Sequence, residues 1–170
     1  INSTDEIPFG SVVATDLDLP LIAKQQDFEI QETTINHYLR SSHTFYVYLQ
    51  DSLDLYVEKQ DINWYEGEDL LVASLFDLNG TLLGNVTLQD DGVNDTTKTI
   101  MPASFGELKI QDLSEGVYIL EFQGNADTII TKIKLDTDKI VTKRIFSAES
   151  ANYLLDQDQQ VELFTRTKKE

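Results

Sequence analysis

The sequence predicts an all-β fold, an antiparallel β-sandwich or jelly roll of about eight to ten short strands with extensions at both ends. Three observations predict it. Apolar residues recur with a period of two along much of the chain. The intervals between these runs are short and rich in Gly, Asp and Asn. No alternation of strand-like and helix-like segments occurs, which argues against a parallel α/β sheet. A length of 170 residues suits one domain with extensions. A chain of this size buries roughly 70% of its unfolded surface, enough for a substantial core.

The elements follow in order. Residues 1–25 read as an N-terminal arm of mixed composition carrying Pro8 and Pro20. The sandwich is expected over 26–146. Phe28 and Ile30 alternate with polar neighbours. In the next run Phe45, Val47 and Leu49 share one face and Thr44, Tyr46 and Tyr48 the other. Leu53, Leu55 and Val57 then oppose Asp54, Tyr56 and Glu58. The stretch from Leu70 to Asp77 is apolar on both faces, as a central strand would be. Asn79-Gly80 then gives a tight hairpin into a strand from Leu82 to Leu88. Leu108 and Ile110 alternate with Lys109 and Gln111, and three runs rich in β-branched residues follow: VYILEF, DTIITKIKL and KIVTKRIF. Residues 147–170 form a polar C-terminal tail. Ala148, Ala151, Leu154 and Leu155 have helical spacing there, and Val161 to Thr167 can form an added strand.

Three short motifs add a resemblance. Phe76-Asp77-Leu78-Asn79-Gly80 is a strand ending in an Asp/Gly hairpin, Gln89-Asp90-Asp91-Gly92 is an acidic turn, and Leu113-Ser114-Glu115-Gly116-Val117-Tyr118-Ile119-Leu120 enters a late strand. Over roughly residues 64–135 the chain resembles the immunoglobulin-like and fibronectin-like β-sandwich modules of extracellular bacterial and archaeal proteins. The resemblance implies a sandwich in an exported or surface setting and no particular ligand. It departs from the secretion-sorting modules of that type, which end soon after their last strand. Here 35 residues follow Leu135.

Composition excludes several function classes. The chain has no cysteine, so a disulfide framework, a thiol nucleophile and a thiolate zinc site are ruled out. A net charge of −17 disfavours nucleic acid and anionic membrane surfaces, which bind through Lys and Arg. It suits a cationic partner or divalent cations. The apolar runs are too short to span a bilayer as helices. Four glycosylation sequons, at Asn2, Asn79, Asn85 and Asn94, fit an exported protein. Ile1 is an unusual initiator and leads to the expectation of a processed or trimmed chain.

Catalytic constellations are sparse. There are two histidines, His37 and His43, and no G-x-S-x-G elbow. His43 follows Ser41-Ser42 but shares the parity of Phe45, so it is expected on the core face. Carboxylate pairs abound, at Glu66/Glu68/Asp69, Asp136/Asp138 and Asp156/Asp158, as they must with 30 acids. A glycosidase would need two of them facing across a cleft. Calcium is the cofactor to which the turns point: Asp90, Asp91, Asn94 and Asp95 surround Gly92, and hard cations take oxygens from such turns. Asp136 and Asp138 are a second, poorer candidate.

Trp64 and Tyr65 have two readings. With Tyr46, Tyr48 and Tyr56 they form an aromatic stripe on which sugar rings stack. Otherwise Trp64 fills the sandwich edge beside Phe76. The expected role is therefore a non-catalytic secreted or cell-surface module in structural assembly or adhesion, possessing calcium-stabilised turns. Its partner is another protein, or a second copy joined through terminal strands. The alternative is a carbohydrate-binding module that uses the exposed aromatics.

Overall fold

A computed structural model describes residues 30–142. The N-terminal arm and the C-terminal tail, with its helical spacing and added strand, lie outside the described residues. Among the described residues ten strands form, all in antiparallel pairs: β1 (Thr33–Ile35), β2 (Leu39–Arg40), β3 (His43–Leu49), β4 (Leu53–Asp61), β5 (Leu71–Phe76), β6 (Leu82–Leu88), β7 (Ser104–Ile110), β8 (Gly116–Gln123), β9 (Thr128–Leu135) and β10 (Ile140–Thr142). Ile30 belongs to no strand. No helix among the described residues is long and apolar enough to cross a membrane.

The topology is a long hairpin rolled up. Its tip is the β5–β6 turn, where Asp77 Oδ1 accepts from the Asn79 and Thr81 amides at 2.9 and 2.7 Å and Gly80 takes φ 84°. Behind the tip, β4 pairs with β7, β3 with β8, and β1 and β2 with β9. Rolling this ribbon brings β4 against β9 and β5 against β8. One sheet is then β1-β9-β4-β7, with β2 also on β9, and the other is β10-β3-β8-β5-β6. That interleaving is a jelly roll, two Greek keys wound together. Immunoglobulin sandwiches use a different strand order.

The core lies between the sheets. Phe45, Val47 and Leu49 of β3 meet Leu55 and Val57 of β4, with Leu71, Ala73 and Leu75 of β5 and Leu120 and Phe122 of β8. Phe45 and Phe122 pack edge to face at 5.7 Å. A register shift opposite Glu58/Lys59 lets Ile130, Ile133 and Leu135 of β9 all point inward although their spacing breaks the period of two. Along one side, edge strands β6 and β7 close over each other at two glycines. A Cβ on Gly106 would lie 2.7 Å from Leu88 Cδ1, and one on Gly84 would lie 2.9 Å from Ile110 Cδ1.

Because the strands alternate in direction, the C-terminal ends of β2, β4, β6 and β8 lie at one end of the roll. The loops that follow them are Ser41–Ser42, 62–70, 89–103 and 124–127. They are laced together: Ser42 Oγ donates to Gly124 O at 2.9 Å, Ile62 N to Asp127 O at 3.1 Å, and Lys98 N to Asn63 O at 2.8 Å.

Candidate site at the loop end of the sandwich

Polar side chains gather beneath these loops. In β4, Lys59 and Asp61 continue the inward parity of Leu53, Leu55 and Val57, so the strand carries a cation and an anion into the interior. Both side chains are 1% exposed, and Lys59 Nζ lies 2.8 Å from Asp61 Oδ2. The ammonium also donates to Asp69 O and, at 2.8 Å, to Gln89 O. Its three protons thus have three acceptors from three segments.

Further acids surround this pair. Asp90 Oδ1 accepts from Asp69 N at 2.9 Å and its Oδ2 from Gly92 N at 2.8 Å. Asp91 Oδ1 accepts from Val93 N at 2.8 Å and its Oδ2 from Asn63 Nδ2 at 2.9 Å. Asn63 itself is buried with φ 52° and also donates to Thr99 O at 2.8 Å. Asn125 binds Asp69 and accepts from the Asp127 and Thr128 amides at 2.9 and 3.1 Å. Five carboxylates, Asp61, Asp69, Asp90, Asp91 and Asp127, share this end of the sandwich, and that of Asp61 is paired with the Lys59 ammonium. Burial pushes Asp61 up to about 6, opposed by Lys59 and reinforced by the charges of Asp91 and Asp69. Burial raises Asp69 as well, against the hydrogen bond from Asn125.

Several buried oxygens in this end have no hydrogen-bond partner: Asp61 Oδ1, Asn63 Oδ1, Asp69 Oδ2 and Asp127 Oδ1. One carboxylate oxygen from each of Asp61, Asp90 and Asp91 lies within 4.8 Å of the others. Of the predicted ligands, the structure therefore brings Asp90 and Asp91 together and adds Asp61. Asn94 and Asp95 are exposed on the same loop; Asp95 is not in that group of carboxylates, and its Oδ1 accepts from Thr97 N at 3.1 Å. Asp138 is paired with Lys139, and Asp136 Oδ2 accepts from Ser52 Oγ at 3.4 Å.

The predicted aromatics are dispersed over three places. Trp64 and Tyr65 stand on the 62–70 loop, their amides both held by Asp127 Oδ2 at 2.9 and 2.6 Å. Two cations lie over the Trp64 ring, Arg40 at 5.4 Å and Lys98 at 5.8 Å from its centroid. It is not beside Phe76, which sits at the far end of β5 against Ile119 and Leu82. Tyr46 and Tyr48 project from the outer face of one sheet, Tyr56 from that of the other. Tyr48 is buried even so, and its hydroxyl donates to Glu115. Tyr56 stacks on Phe105 at 5.7 Å with Lys134 on its ring at 5.1 Å. Phe105, which the sequence reading passed over, is 67% exposed. Its signal was available: an aromatic residue three positions before Leu108 with the opposite parity.

His43 is buried and stacks on Phe45 at 6.3 Å. The Ser42 hydroxyl is bound to the Gly124 backbone, accepting from its N at 3.2 Å as well as donating to its O. A groove of about 600 Å³ lies beside them, and Glu121 is the one acid among its lining residues.

No family model matches the sequence, and no curated protein is similar to it. Among solved structures, CBM35 from Cellvibrio japonicus Abf62 is similar over 67% of this chain and 74% of its own, with 14% identity and a TM-score of 0.34. A likeness this slight carries no argument about a ligand.

Proposed function

We propose that the chain is a non-catalytic β-sandwich module of an exported protein, serving structural assembly or adhesion by pairing its sheet edges with a second copy. The observation that carries this reading is where the exposed large apolar side chains fall. Among the described residues, Leu82 and Leu83 lie on β6, Phe105 on β7 and Val141 on β10, all strands at the margin of a sheet, while Tyr65, Leu78 and Ile100 are exposed on loops. Edge strands offer unpaired amides and carbonyls to another strand. Apolar side chains on them add packing to that pairing. The buried ion pair of Lys59 and Asp61 supports a structural role because its bonds hold loops together. Exposure of Asn79, Asn85 and Asn94 supports an exported setting, since a glycan needs an open asparagine. Light scattering across a concentration series tests the reading. Association by the full chain that Leu83→Lys with Phe105→Lys abolishes supports it; a monomer at every concentration overturns it.

The Phe105–Tyr56 stack favours a second reading, a neutral glycan lying on the open face of Phe105. Binding on a glycan array that is lost in Phe105→Ala supports this alternative. The same binding lost only in Trp64→Ala moves the platform to the loop end.

A further inference from the structure

We propose that Asp61, Asp90 and Asp91 bind a calcium ion at the loop end of the sandwich, with the Asn63 side-chain oxygen as a further ligand. The inference goes beyond the assembly reading and does not depend on it. Geometry supplies the first argument. Calcium–oxygen distances are about 2.4 Å, so two oxygens on one ion are at most about 4.8 Å apart. One oxygen from each of Asp61, Asp90 and Asp91 meets that limit.

Unpartnered oxygens supply the second and independent argument. Asp61 Oδ2 is taken by Lys59, while Asp61 Oδ1 is buried with no hydrogen bond. Asn63 is anchored to Asp91 through Nδ2 and leaves Oδ1 likewise buried and unpaired. A buried polar oxygen without a partner costs about 1–3 kcal/mol, more for a charged group, so a ligand that takes Asp61 Oδ1 and Asn63 Oδ1 would relieve that cost at both. A hard cation does so, because it accepts carboxylate and amide oxygens together.

The rival explanation is that Lys59 alone neutralises the cluster. Its three protons, however, are directed to Asp61 Oδ2, Asp69 O and Gln89 O, and none reaches Asp90 or Asp91. Among the described residues, neither Asp90 nor Asp91 forms an ion pair. Asp90 and Asp91 are half-buried, so the ion has a solvent side on which waters complete its shell. This incomplete, partly wet ligand set of acids suits calcium, which tolerates irregular coordination, better than magnesium, which demands octahedral geometry.

Calorimetric titration with calcium chloride of the full chain, stripped with EDTA, tests the site, alongside thermal melts. One calcium per chain is expected, and about 100 Kd of calcium should raise Tm by roughly 10 °C. Asp61→Asn and Asp91→Asn should each weaken binding at least tenfold. Asp91→Asn keeps the test decisive if Asp61→Asn fails to fold, because Asp91 is only half-buried. Asp95→Asn, on the same loop but exposed, should bind as the parent does. No heat and no Tm change with calcium would overturn the proposal. So would loss of binding in Asp95→Asn with retention in Asp91→Asn, and an equal response to magnesium would overturn the choice of metal.

Discussion

Replacing Lys59 by methionine isolates what holds the loop end. Methionine keeps much of the buried stem and removes the ammonium. Asp61, 1% exposed at 2.8 Å from that ammonium, is left as an uncompensated charge. The carbonyls of Asp69 and Gln89 lose a donor at the same time. Breaking a buried ion pair by removing one partner costs about 3–5 kcal/mol, most of it the stranded charge. For a domain of this size, about 4 °C of Tm per kcal/mol turns that into a fall of roughly 12–20 °C. Circular dichroism melts in EDTA measure it. Lys59→Met combined with Asp61→Asn should recover at least about 2 kcal/mol, because no buried charge then lacks a partner. A Lys59→Met loss below about 1 kcal/mol, or a double variant whose losses simply add, would refute the claim that this pair organises the loops.

Three further outcomes follow from the packing and the titrating groups. Gly106→Ala should cost about 1–3 kcal/mol in urea unfolding, because its methyl would stand 2.7 Å from Leu88 Cδ1 and 3.1 Å from Val86 Cγ2. Asp127→Ala should cost about 1–3 kcal/mol and speed hydrogen exchange at the Trp64 and Tyr65 amides, both of which its Oδ2 accepts. Alkaline pH should destabilise the fold: hydrogen bonds to Glu115 and Glu58 push Tyr48 and Tyr56 up to about 12, from 10. Each contribution is complete below pH 10 and lost as pH rises through 12. Denaturation curves from pH 9 to 12 should therefore be flatter for Tyr48→Phe and Tyr56→Phe than for the parent.

The strands were legible because alternation is a local signal. β6 runs from Leu82 to Leu88, as the sequence predicts, and the doubly apolar Leu70–Asp77 stretch became the interior strand β5. Period two is blind where a bulge resets the face, as it does along β9, and where strands are too short to show a period, as in β1 and β2. It does not say which strands become neighbours. The joining of Asp61 to Asp90 and Asp91 is a consequence of the rolled topology, which no local window contains. One signal was nevertheless present. Lys59 and Asp61 keep the parity of Leu53, Leu55 and Val57, so extending that strand by one period places both in the core. The spread of the tyrosines was hidden for the same topological reason: equal parity on β3 and β4 means opposite outer faces once those strands belong to different sheets.

A jelly roll gathers alternate loops at one end, and here each long loop of that end brings acids: Asp69 on one, Asp90 and Asp91 on the next, Asp127 on the last. The topology thereby turns a dispersed net charge of −17 into a local concentration that must be neutralised for the end to close. Lys59 does part of this from within, since its placement is fixed by the strand that carries it. A cation shared by Asp61, Asp90 and Asp91 would do the rest from the solvent side. The two positive charges would then lie near each other, bound to different oxygens of Asp61, and their repulsion limits affinity. For a single and a double charge at roughly 5 Å and an effective dielectric of about 20, that repulsion is on the order of 7 kcal/mol. Lys59→Met, the variant that most weakens the stripped fold, should accordingly bind calcium at least tenfold more tightly, and its lost Tm should return in large part when calcium is added. A variant weakened equally with and without calcium would show that the ammonium and the ion do not share the carboxylate.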